Sequence, residues 1–222
     1  PEPKVLTICL GQEPQTLYMY GSAARSIWAV LEAVYDGPID TRGFESVPVL
    51  LEKMPTRADG DAVYAAQVVQ PGSEMVDANG DLSVLAQGVR LLPAGCADDS
   101  CAITWDGASE VQMDVLTLTF RLLPGITWSD GQPLTARDSV YSFNISNDPA
   151  TPVNRRMLDR TAAYTAVDDL SLQWVSIPGY RSTRFADSFW NPLPEHLYGG
   201  YSAQDLLTAE ISTRAPLGWG AY

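Results

Sequence analysis

The sequence predicts a mixed α/β (α+β) fold, and three observations carry the prediction. Val115 to Leu122 (VLTLTFRL) alternates β-branched and apolar residues with the period of two that a half-buried strand requires. A helix start follows at short range, where Thr135 occupies an N-cap position and Asp138 stands three residues on, the spacing of a capping box. A chain of 222 residues, 45% hydrophobic and 18% charged, is also long and apolar enough to bury a sizeable core.

In chain order, Val5 to Leu10 reads as a buried strand, with Cys9 a small hydrophobe inside it. Gly11 to Tyr20 is a loop that Glu13-Pro14 keeps extended. Tyr18, Met19 and Tyr20 on this loop either wall a ligand or pack on the next helix. Ser22 is placed to cap a helix over 23–35, in which Ile27, Trp28, Leu31, Val34 and Tyr35 form one apolar face and Trp28 belongs to the core. Asp36-Gly37 ends it.

From Asp59 to Asp114 the chain predicts a β-rich region. Strands are expected over 63–69, 83–85 and 88–92, and a meander over 101–105 and 111–121. Asn79-Gly80, inside Asp77 to Asp81, is a hairpin turn. Asp77, Asn79 and Asp81 also have the spacing of a calcium loop, but the glycine offset is wrong and no Glu stands at the twelfth position, so the turn is preferred. Pro124-Gly125 punctuates the next strand, and Gly131 supplies a positive φ in Ser129-Asp130-Gly131. Val140 and Phe143 provide the buried stripe of the capped helix, which Asn147-Asp148-Pro149 stops. Arg155, Arg156 and Arg160 read as a solvated helix face, Asp168-Asp169 as a hairpin turn, and Ser202 with Asp205 as another helix start.

Composition excludes several functions. A net charge of −13, with Lys4 and Lys53 the only lysines, argues against nucleic acid, whose phosphates need clustered cations. No apolar run is long enough to span a bilayer, and Pro1-Glu2-Pro3-Lys4 reads as a mature or recombinant N-terminus. No catalytic residue is assigned. The single histidine, His196, sits in a proline-rich turn without a G-x-S-x-G partner, and no H-E-x-x-H or Walker pattern occurs. Cys96 and Cys101 alone make no zinc site, so no metal or other cofactor is expected. Six Trp and ten Tyr suit a binding cleft and a core equally.

The wording of 120–143 is more specific than its physics. Phe120, Leu122, Gly125, Trp128, Asp130, Gly131, Pro133, Leu134, Thr135, Ala136, Asp138, Val140, Ser142 and Phe143 fall on the pattern F-x-L-R-x-G followed by W/F-x-D-G-x-P-L-T-A-x-D-V-x-x-S-F, with the basic residue displaced to Arg121. This resembles the signature region of family 5 extracellular solute-binding proteins, receptors of ABC importers for peptides and related ligands. Glu13-Pro14 with Thr16-Leu17, Tyr35-Asp36-Gly37, and Pro216, Gly218, Gly220 and Tyr222 match further segments of the family; Tyr18, Trp219 and Ala221 depart from it.

The resemblance implies a lobe of the periplasmic-binding-protein type (class II, peptide-binding-protein fold). Residues 1–222 would be the truncated N-terminal lobe portion of a two-lobed receptor, with 59–114 an enlarged β-rich insertion. It implies an exported protein, periplasmic, extracellular or a cell-surface lipoprotein. Its partners would be a peptide or similar small solute and the permease, with membrane contact only through the permease or a lipid anchor outside this chain. Tyr18, Met19, Tyr20, Tyr35 and Trp219 are the expected ligand contacts. Cys96 and Cys101 either bridge, adding about 2 kcal/mol for so short a loop, or remain two thiols; the exported family implies the bridge. A truncated lobe would expose apolar surface and self-associate. A second reading is an exported interaction module that binds a protein partner through its β-rich insertion.

Overall fold

The computed structural model describes residues 9–220, so most of the expected strand at Val5 to Leu10, and the match at Tyr222, lie outside the described residues. Cys9 is exposed rather than buried, because the described chain there pairs with no strand.

The first helix, α1 (Arg25–Val34), buries Ile27 and Leu31. Its N-cap is Ala24 rather than Ser22, whose Oγ instead accepts a hydrogen bond from the Ala24 N–H at 3.3 Å. Trp28 is 37% exposed and not in the core. Residue 28 is rotated ~100° from Ile27, which aims its ring away from the buried face. A small antiparallel hairpin follows, β1 (Ile39–Arg42) and β2 (Glu45–Pro48).

The expected β-rich stretch forms β3 (Ala62–Val69), β4 (Glu74–Val76), β5 (Leu82–Val84), β6 (Arg90–Leu91), β7 (Ile103–Thr104) and β8 (Val111–Arg121). The turn between β4 and β5 is the Asp77–Asp81 segment. Gly80 has φ +86°, and Asp77 Oδ1 accepts from the N–H groups of Asn79 at 2.8 Å and Asp81 at 3.0 Å. Cys96 and Cys101 are disulfide-bonded, as the resemblance implies, with Cα atoms 5.7 Å apart.

Beyond β8 lie α2 (Ala136–Asn147), β9 (Thr161–Ala166), β10 (Ser171–Ser176) and the short helices α3 (Glu195–Tyr198), α4 (Ala203–Leu206) and α5 (Glu210–Thr213). The start of α2 is as expected: Asp138 Oδ2 accepts from the Thr135 N–H at 2.8 Å. Its buried stripe is different. Val140 and Phe143 are only half-buried, while Ala136, Asp138, Ser139, Ser142 and Ser146 are buried. Small side chains let the helix lie close to β9, and two of the three serine hydroxyls are satisfied locally: Ser139 Oγ donates to the Trp190 carbonyl and lies 2.7 Å from the Tyr164 hydroxyl, and Ser142 Oγ donates to the Asp138 carbonyl, while Ser146 Oγ is buried without a partner. Arg155, Arg156 and Arg160 lie on a turn and a 3-10 segment rather than a helix face, because Pro149 and Pro152 follow α2 immediately. His196 belongs to α3 rather than to a turn.

Four strands form one antiparallel sheet in the order β3-β8-β10-β9. Ala62, Leu118, Trp174 and Tyr164 are successive register partners across it, and all four are buried. The residues of β8 divide between two cores. Leu116, Leu118 and Phe120 enter the main core with α1 and the segments after α2. Val111 and Met113 enter a smaller one with Val69, Met75, Leu85, Leu91 and Trp105. Gly179 sits where the two regions meet; its N–H donates to the Asp114 carbonyl at 2.8 Å, and with φ +82° a Cβ there would collide with the Val76 carbonyl.

Trp174 fills the centre of the main core, and its Nε1 donates to Thr161 Oγ1 at 2.8 Å. Trp174→Ala is expected to cost about 3–5 kcal/mol, measured by urea denaturation; a loss below ~1 kcal/mol would contradict this assignment of the core. Acid sensitivity is set by exposed carboxylates that accept turn N–H bonds. Asp106 is the clearest: the Ser109 hydroxyl, then the Ser109 and Ala108 N–H groups, lower it from 3.8 to about 2. A lowered folded-state pKa stabilises above the unfolded value, and that contribution is lost as pH falls through the folded value. Thermal stability is therefore expected to drop between pH 3.8 and about 2, and Asp106→Asn to flatten the drop in thermal scans.

Candidate functional site

Two hollows meet beside α1 and share Trp28, Phe189 and Asn191. The larger, about 980 Å³, is bounded by Leu31 and Tyr35 of α1, the 36–38 turn, the β1–β2 hairpin and the 184–191 segment. The smaller, about 290 Å³, is bounded by Met19, Tyr20 and Ser22 of the first loop, Val153, and the Phe189-Trp190 pair. An aromatic seam, Trp28 and Phe189, forms the border common to both.

Each wall has a local cause. Trp190 is fixed by rings of Phe143 and Tyr164, each with its centroid 4.9 Å away, and by its carbonyl on Ser139. The first loop is tied across the cleft floor by the Tyr20 hydroxyl, which donates to the Asn191 carbonyl at 2.8 Å. The C-terminal segment closes on α1: Gly220 N–H donates to the Val34 carbonyl at 2.9 Å, and a Cβ at Gly218 would overlap that same carbonyl. This approach presses Trp219 onto Tyr35 at 4.8 Å and Trp128 at 5.3 Å, with Nε1 donating to the Asp36 carbonyl at 2.9 Å. Phe44, at the hairpin tip, has φ +74° and a wholly exposed ring over the larger hollow. A left-handed phenylalanine costs on the order of 1 kcal/mol, and here no burial offsets it.

The five aromatic and thioether positions singled out from the sequence are therefore spread over two layers. Met19 and Tyr20 line the smaller hollow and Tyr35 the larger. Tyr18 and Trp219 line neither; Tyr18 is 1% exposed with its hydroxyl buried, and Trp219 backs Tyr35. The cleft residues missed were Trp28, Phe44, Phe189 and Trp190. Trp28 was hidden by its place on an apolar helical face. The others had usable signals: an aromatic after Gly43 at a hairpin tip, and an aromatic pair just ahead of Asn191-Pro192.

Burial raises the Tyr18, Tyr20 and Tyr35 phenols above their ordinary value, and neighbouring tyrosines add to it. Burial likewise pushes Tyr141 and Tyr198, behind the first loop, up to about 12. All five stay neutral hydroxyls under physiological conditions. The charge around the larger hollow comes instead from Glu32, Asp36, Asp40 and Asp187 against Arg184, whose Nη2 is 3.2 Å from Asp187 Oδ1. His196 lies apart from the cleft, with Nε2 2.9 Å from Asp130 Oδ2 in an exposed pair that ties α3 to the 129–131 turn. Among the described residues no group of three or more His, Cys, Asp or Glu is placed to hold a metal ion, and no helix is long and apolar enough to cross a membrane.

Residues 101–222 match the family described as bacterial extracellular solute-binding proteins, family 5 middle. No curated protein matches the sequence. The fold is similar to that of the oligopeptide-binding protein of Thermus thermophilus, solved with a pentapeptide (TM-score 0.58, 15% identity, 94% of this chain and 33% of that one). It is also similar to the ABC transporter substrate-binding protein CtaP of Listeria monocytogenes (0.56, 18%, 96% and 32%) and to a periplasmic oligopeptide-binding protein, OppAIV, of Borrelia burgdorferi (0.52, 15%, 95% and 34%). The chain thus has the mixed α/β fold of these proteins and spans about a third of their length.

Trp219 is the keystone between the C-terminal segment and α1. Trp219→Ala is expected to lower stability by about 3 kcal/mol, whereas Trp219→Phe, which keeps the stack and loses the N–H donor, is expected to cost about 1 kcal/mol. Urea denaturation of both variants checks the ranking, and equal losses would contradict it.

Proposed function

We propose that this chain, which belongs to the family 5 bacterial extracellular solute-binding proteins, forms one wall of a solute receptor that serves an ABC importer. The solute is a peptide or a similarly sized molecule, held without chemical conversion and handed to a membrane permease. The observation that carries this reading is the pair of adjoining hollows of about 980 and 290 Å³, bordered in common by Trp28 and Phe189. A hollow of that size with aromatic walls and a few polar groups is what a small solute needs. The Thermus relative of similar fold holds a pentapeptide, which supports a peptide here.

Met19, Tyr20, Trp28, Tyr35, Phe44 and Phe189 are the proposed contacts, and Tyr18 and Trp219 support them from behind. Four carboxylates against one guanidinium around the larger hollow weight it toward solutes carrying positive charge, such as an ammonium end or a basic side chain. An exported location, periplasmic or at the cell surface, follows from the family reading, and the Cys96–Cys101 bridge is consistent with it.

The test is native mass spectrometry of the protein isolated from its own host, followed by titration with the species found. A co-purified series of short-peptide masses is the expected result; a discrete sugar or metal-chelate mass would keep the receptor and replace the peptide. A spectrum that stays empty against peptide and sugar pools would sink the receptor reading. Trp28→Ala is expected to weaken peptide binding at least about tenfold, ~1.4 kcal/mol, with little change in thermal midpoint because the ring is already 37% exposed.

A further inference from the structure

We propose that a third hollow, between the β4–β5 turn and the segment that follows α2, binds a multivalent oxyanion of the phosphate-ester or diphosphate class. The hollow measures about 390 Å³ and is lined by Arg156, Arg160, Arg181 and Arg184. The chain has only 14 basic residues and a net charge of −13, so four guanidiniums in one place is a local reversal of its general field.

The arginines are not fully neutralised. No ion pair among the described residues uses Arg156 or Arg160. The Arg160 guanidinium is held in place by two backbone carbonyls, donating from Nη2 to Gly80 and from Nη1 to Arg156, both at 3.1 Å. Carbonyls orient the guanidinium without cancelling its charge. Arg181 pairs through Nη2 with Asp114, yet its Nε is buried with no acceptor. Buried donors are almost always satisfied, by an ion or water when not by protein.

Of the two carboxylates at the hollow, Asp187 pairs with Arg184, while Asp77 accepts only from the N–H groups of Asn79 and Asp81 and keeps its charge. What remains is the positive charge of Arg156 and Arg160 against the single charge of Asp77, a net positive hollow in a strongly acidic chain. Guanidinium forks match tetrahedral oxyanions in a bidentate way, and several forks suit a multivalent anion better than a single carboxylate. The volume equals about a dozen water molecules of liquid, which favours a phosphate ester or diphosphate over a bare phosphate ion.

The same group could arrive free or as a lipid headgroup. A net charge of −13 repels an anionic membrane at long range, whereas a small anion inside a Debye length, ~8 Å at physiological salt, meets mainly the local arginines. The free anion is therefore the proposed ligand. The hollow shares only Arg184 and Asp187 with the cleft, and the inference stands without the receptor reading.

Isothermal titration with inorganic pyrophosphate, and in parallel with phosphate and with sodium chloride at matched ionic strength, tests it. Expected are saturable binding of pyrophosphate, tighter than phosphate and absent for chloride, and a loss of at least about tenfold in Arg156→Gln. Arg160→Lys, which keeps the charge and removes the fork, is expected to weaken binding as well, while Arg137→Gln, on the exposed face of α2, leaves it unchanged. Circular dichroism of each variant separates lost binding from lost folding. No saturable binding at roughly 10 mM, past the millimolar end of specific affinities, overturns the proposal. So does undiminished binding in a folded Arg156→Gln. Sedimentation with anionic phospholipid vesicles separates the two sources, and vesicle binding without pyrophosphate binding also overturns it.

Discussion

Strand β8 buries side chains along both of its faces, and the two faces serve different cores. Leu116, Leu118 and Phe120 reach into the core that α1 covers, while Val111 and Met113 root the smaller core of the β-rich region. Each fully buried side chain of this size is worth about 1.5–3 kcal/mol relative to exposure, so β8 alone carries a large share of what offsets chain entropy. Its position between β3 and β10 makes it central by hydrogen bonding as well. A one-residue slip in its register would exchange the two sets and empty both cores. The joint is reinforced at Asp114, whose carboxylate meets Arg181 and the Gly95 N–H and whose carbonyl accepts from Gly179.

Features set by neighbours in sequence were readable in advance. The alternation of β8, the Thr135–Asp138 cap, the turns at Asn79-Gly80 and Asp168-Asp169, and the closeness of Cys96 to Cys101 are all short-range and appear as expected. Features set by tertiary packing were not. Trp28 belongs to an apolar helical face by periodicity, but only the core decides which part of that face it covers, and it covers Ile27 and Leu31. The serine stripe of α2 looks polar on paper. Its burial is eased because the Ser139 and Ser142 hydroxyls found an acceptor or a tyrosine, which no residue pattern reports. In the cleft, the loop at 18–20 was legible as aromatic, yet which of its rings faces out depended on the Tyr20–Asn191 hydrogen bond across 171 positions.

The cleft is built in two layers. An inner layer of neutral phenols and indoles, with Tyr18, Tyr35 and Trp128 buried and Trp219 half-buried, fixes the shape. An outer layer of half-exposed rings and carboxylates meets solvent. Because the inner layer stays uncharged, it packs without paired ions, and the charge of the wall is set by the exposed Glu32, Asp36 and Asp40 alone with the Arg184–Asp187 pair. The fold therefore constrains shape strongly and charge weakly, which is the division expected of a scaffold that supports different solutes.

Two backbone hydrogen bonds close the wall of the cleft: Leu17 N–H donates to the Thr213 carbonyl at 2.9 Å, and Gly220 N–H to the Val34 carbonyl at the same distance. Each joins segments far apart in sequence, so the wall is assembled late in the order of loop closure: no local element can hold it until the chain between has folded.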